Sequence, residues 1–147
     1  MRHLRQLRLA ALAVLLAAVP TAWSAAPAPA VTGTPVADTT FGYTAQVVVG
    51  DHDRGCSGVL VAPQWLLTGA SCFAADPATS LAVPAGRPAS PTTATIGRSD
   101  PTTGAGAVRQ VVELVPSTTG RDVILARLNQ AVTNVAPIAL ATGEPTA

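Results

Sequence analysis

Both cysteines of the chain lie in one stretch, Cys56 to Phe73, which reads CSGVLVAPQWLLTGASCF. Two short apolar runs, Gly58–Val61 and Trp65–Thr68, sit between the sulfurs, separated by Ala62-Pro63-Gln64. Proline fixes φ and withholds an N–H, so it marks a turn between apolar runs. The segment therefore predicts a strand–turn–strand unit that a bond between Cys56 and Cys72 would close. That bond needs an oxidising compartment, and the start of the chain supplies the address.

Met1 to Arg8 carries three arginines and is followed by an apolar run from Leu9 to Val19. A basic start before a run too short to span a bilayer is the pattern of a secretory signal peptide. Small residues at the last and third-last positions favour cleavage after Ser24 (Ala22-Trp23-Ser24) or after Ala30 (Ala28-Pro29-Ala30). Residues 1–30 are thus read as signal, 31–40 as linker and 41–147 as the domain, in an exported, extracellular protein. Two cysteines in an exported chain most simply pair with each other. A loop of this length restricts the unfolded chain by about 3 kcal/mol.

Charge narrows the partners. The whole chain has 9 basic and 8 acidic residues. Without the signal, six scattered arginines face eight acids, a net charge of −2. No basic patch suits nucleic acid, and no polybasic segment suits a membrane surface. A zinc site lacks ligands, because only His52 joins the two cysteines in the mature chain. No metal or other cofactor is expected. About 120 residues remain, enough for one small domain.

Beyond the Pro- and Ala-rich linker, Tyr43–Val49 alternates like a strand and stops at Gly50-Asp51. Asp76–Pro91, with four prolines, predicts a long loop of the kind that serves as a lid, an insertion or a mobile segment. Thr93–Arg98 and Ala107–Val115 read as strands. Val123–Leu128 suits a buried strand and a helix turn equally, and Pro137–Leu140 reads as a last extended stub. About six short strands with no amphipathic helix point to an all-β domain, a small antiparallel barrel or sandwich.

The cysteine stretch also resembles the segment around the catalytic histidine of trypsin-like, chymotrypsin-fold serine peptidases, in which a Trp-Val-Leu-Thr-like strand leads to Ala-Ala-His-Cys. Here those last four residues are Gly69-Ala70-Ser71-Cys72, with Ser71 in the histidine's place. Arg121-Asp122-Val123-Ile124-Leu125-Ala126-Arg127-Leu128 is similar to the segment carrying the family's triad aspartate, and Asp122 matches that position. Val135-Ala136-Pro137-Ile138-Ala139-Leu140 looks like the family's Val-x-Pro-Ile-x-Leu run. The resemblance covers Phe41 to Leu140 and implies a single six-stranded antiparallel β-barrel, the N-terminal half of a two-barrel fold. In the family the second barrel supplies the nucleophilic serine, the oxyanion hole and the specificity pocket, and no Gly-Asp-Ser-Gly-Gly-like stretch occurs in these residues.

The resemblance implies proteolysis by a serine endopeptidase, acting on peptide or protein. The residues argue instead for a pseudo-peptidase. The triad histidine must take a proton from serine and return it to the leaving amine, which needs a group titrating near neutrality. The hydroxyl of Ser71 offers none. His52, between Asp51 and Asp53, reads as a solvated surface histidine. The expected arrangement is a Ser71 hydroxyl bonded to Asp122 or to backbone, with Asp122 a semi-buried carboxylate held by backbone N–H groups or by Arg121. Two alternatives stand beside this reading: a secreted binding or inhibitory module, and a truncated fragment without function.

Overall fold

In the computed structural model the described residues are 33, 36 and 40–143. The signal segment 1–30 and most of the linker 31–40 lie outside them.

Six strands point small or aliphatic residues inward, with mostly polar residues outside and Val108 and Val115 exposed on the fifth. They are β1 (Thr44–Val49), β2 (Arg54–Ala62), β3 (Trp65–Thr68), β4 (Thr92–Ile96), β5 (Ala107–Pro116) and β6 (Ile124–Leu128). In β1, Ala45, Val47 and Val49 are buried while Thr44 and Gln46 are exposed. In β4, Thr92, Ala94 and Ile96 are buried; in β6, Ile124, Ala126 and Leu128 are. A period of two on one apolar face is what drives each run to extend and pair. The alternation in β6 decides the stretch whose composition suited strand and helix alike.

The strands close into an antiparallel barrel in the order β1-β2-β3-β6-β5-β4, with β4 returning to β1. Closure removes the sheet edges, and the narrow interior of a six-stranded barrel must be filled by side chains. Leu60, Leu66, Ile96, Leu114, Ile124 and Leu128 fill it, each at most 2 % exposed. Ala45, Ala94, Ala107 and Ala126 line the same core where larger groups would not fit. The pairing shifts register between Leu60 and Ala62 on β2 and between Val111 and Glu113 on β5, bends that re-aim strands within so small a circumference.

Two expectations are refined. The Pro137–Leu140 stub forms no strand. The closed barrel offers it no edge, and Pro137 has no N–H to donate. It docks by one backbone bond, the Ile138 N–H donating to the Leu60 carbonyl at 2.9 Å, where the β2 register shift loosens the ladder. The long loop is confirmed, since neither strand nor helix lies between Cys72 and Thr92. It is tied down, however: Gly86 and Leu114 exchange two backbone bonds, at 2.9 and 2.6 Å. Among the described residues no helix is long and apolar enough to cross a membrane.

Candidate functional site

The register of β3 against β6 decides which loop residues meet. Thr68 lies opposite Ile124, so the chain leaving β3 and the chain entering β6 share one end of the barrel. Three residues past Thr68 comes Ser71, in a single 3-10 turn (Ala70–Cys72); two before Ile124 comes Asp122. They meet through two bonds. The Ser71 backbone N–H donates to Asp122 Oδ1 at 2.7 Å, and the Ser71 hydroxyl donates to Asp122 Oδ2 at 2.9 Å. Residues 51 apart in sequence are thereby clamped together.

Asp122 is exposed, which corrects the expectation of a semi-buried carboxylate. Ile124 is the first inward residue of β6, and Asp122, two positions earlier, already stands in the loop beyond the barrel rim. Nor does Arg121 hold it: the ion pair among the described residues joins Arg127 to Glu113, at 2.5 Å on the barrel wall. The Ser71 N–H, then the Ser71 hydroxyl, and more weakly the Ala70 N–H, hold the Asp122 carboxyl below the usual carboxylate range; slight desolvation opposes them. A Cβ at Gly69 would stand 3.1 Å from Ser71 Oγ and 3.3 Å from Asp122 Oδ1, so a side chain there would crowd the pair.

Two residues of β2 reach the same turn. Cys56 is disulfide-bonded to Cys72, as the sequence led us to expect. Arg54, on the same face of β2, donates from Nη1 to the carbonyls of Ser71 (3.2 Å), Cys72 (3.4 Å) and Ala74 (2.5 Å), and from Nη2 to that of Ala75 (3.2 Å). The sequence reading passed over Arg54. Its signal was the spacing of two from Cys56, which puts both side chains on one face of a strand.

His52 stands apart from this cluster. It occupies the β1–β2 turn at φ 69°, is exposed, and makes no hydrogen bond or ion pair among the described residues. No group of three or more metal-ligating side chains occurs among them either. Beside the Ser71 turn lies a groove of about 610 Å³ whose lining includes Leu81, Val83, Pro84, Pro116, Val123 and Arg121.

Chemically, the pair is a hydroxyl donating to an acid that is a weaker base than usual. A carboxylate held below its ordinary range cannot draw a proton from a serine hydroxyl near neutrality. The arrangement ties the Ser71 turn to the loop that precedes β6.

Comparison with known proteins places this geometry. Residues 30–147 match the sequence family described as Trypsin. Among solved structures, neuropsin, a serine protease expressed in the limbic system of mouse brain, is similar at TM-score 0.58 and 19% identity, over 76% of this chain and 48% of that one. The structure of GrC is similar at TM-score 0.55 and 17% identity, over 76% and 50%. The chain thus spans about half the length of the structures it resembles. No curated protein matches the sequence.

Proposed function

The chain belongs to the trypsin family, and from that premise we propose that it is an exported serine-peptidase homologue whose site is catalytically silent. One observation carries the reading: the residue that bridges to Asp122 is Ser71, through a hydroxyl and a backbone N–H. At the position where family resemblance calls for an imidazole, there is no group that takes and returns a proton near neutrality. Joining these residues to a segment that supplied a nucleophile would not restore the missing base. Export is supported by the basic start with its short apolar run, and by the Cys56–Cys72 disulfide, a bond that persists in oxidising compartments.

A binding role is favoured by the groove beside Ser71, whose wall is largely aliphatic and proline. Such a surface suits a peptide or protein partner rather than a charged polymer. The test is to collect the secreted protein, determine its first residue, and assay it against a peptide-substrate library and a covalent active-site serine probe. We expect a chain starting at Ala25 or Val31, no turnover and no labelling. Turnover that disappears in S71A or D122N would overturn the reading.

A further inference from the structure

We propose that Arg54 is the positioning residue of the site: its guanidinium holds the turn from Ser71 to Ala75 in the one placement from which Ser71 reaches Asp122. The disulfide alone does not do this. It fixes the sulfur of Cys72, and a turn held at one side chain keeps its backbone freedom on either side. Arg54 grips the backbone itself, donating to the carbonyls of Ser71, Cys72, Ala74 and Ala75. Carbonyls at the end of a helical turn lack partners within it, and a cation there meets both their hydrogen-bonding need and their partial charge. A planar fork with five N–H donors can span several carbonyls; an ammonium, a point charge with three, cannot cover the same spread.

The inference rests on the geometry of the Ser71–Asp122 pair and not on the catalytic silence of the site, so the two stand or fall separately. The groups that act on Asp122 are the N–H and hydroxyl of Ser71 and the N–H of Ala70, all on the turn Arg54 holds. Arg121 precedes Asp122 in the chain without pairing to it, and His52 and the acids Asp51 and Asp53 lie in the β1–β2 turn just before Arg54.

The experiment compares R54K and R54Q with the parent protein, disulfide intact. It records the carboxyl titration of Asp122 by carbon NMR and the amide exchange of Ser71 against that of core residues such as Leu66 and Ala126. We expect both variants to move the Asp122 titration up toward the ordinary carboxylate range. Ser71 exchange should accelerate about tenfold or more while core amides stay protected, as for a local opening. A parent-like titration and exchange in both variants would overturn the proposal. So would parent-like behaviour in R54K alone, since that would assign the effect to charge and not to the fork. Global unfolding of both variants would assign Arg54 to the barrel's stability instead and equally overturn it.

Discussion

Removing the disulfide, as C56A/C72A, tests how much of the fold depends on the one covalent link in the domain. The bonded residues are 16 apart. In the chain-entropy picture a loop of that size restricts the unfolded ensemble by about 3 kcal/mol. The native state should contribute little more. Thr68 Oγ1 loses only a distant contact to the Cys72 sulfur, at 4.0 Å, and keeps its bond to the Ser57 carbonyl at 2.8 Å. Cys72 is 9% exposed, so losing its sulfur from the core costs about 1 kcal/mol more. With an unfolding entropy of roughly 0.2 kcal/mol/K for a domain of about 100 residues, the melting temperature should fall by about 15–20 °C. The assay is a thermal melt followed by circular dichroism, with denaturant melts to check that the slope with denaturant is unchanged. Reduced parent protein should melt like the variant. A fall of under about 5 °C with an unchanged slope would refute the reasoning, because the unfolded chain would then gain little freedom from the cut.

The lowered pKa of Asp122 carries a stability term of known sign. It is fully present above the ordinary carboxylate value near 3.9 and is lost as pH falls through the lower folded value. D122N and S71A should therefore show a shallower acid limb than the parent below about pH 4 in melts taken across pH; identical limbs would dissociate Asp122 from that loss. Substituting S71H in the 147-residue chain should not by itself produce peptide hydrolysis in a sensitive fluorogenic assay, because no Gly-Asp-Ser-Gly-Gly-like stretch occurs in these residues. Gly106 sits at φ 77°, and a Cβ there would collide with the Ile96 and Gly97 carbonyls. G106A should cost more than about 1 kcal/mol in a denaturant melt, where a conformationally free glycine would lose nothing. L66A, emptying a fully buried core position, should cost about 2–5 kcal/mol by the same measurement.

The strands were legible because their signal is local. Alternation over five or six residues, stopped by Gly50 or by Pro63, carries its own period and its own ends. The ambiguity of Val123–Leu128 was of another kind. Leucine and alanine suit both periods, and only pairing with Trp65–Thr68 on one side and with β5 on the other chose the strand. Pro137–Leu140, read as an extended stub, stays outside the sheet for a reason no local pattern contains: a closed barrel has no free edge left when the chain reaches it.

The site divides along the same line. Ser71 and Asp122 were visible as positions in two motifs, but their exposure was not. Burial of a carboxylate depends on where β6 begins relative to the rim, and the chain crosses that rim between Asp122 and Ile124. Arg54 was invisible to any reading that looked for catalytic residue types, because its bonds go to four carbonyls, which every sequence has. What selects it is the pairing of β2 with β3. That pairing brings the β2 face bearing Arg54 and Cys56 against the turn that follows β3. The turn is therefore held from β2 by a guanidinium and a sulfur, and from the loop before β6 by a carboxylate that accepts from it. Three neighbours, two on β2 and one in the loop before β6, bond the turn that carries the Ser71 hydroxyl. On the function proposed above, Ser71 in the histidine's place would remove the proton-transfer chemistry, while the hydrogen bonds and the disulfide that order the turn need no imidazole.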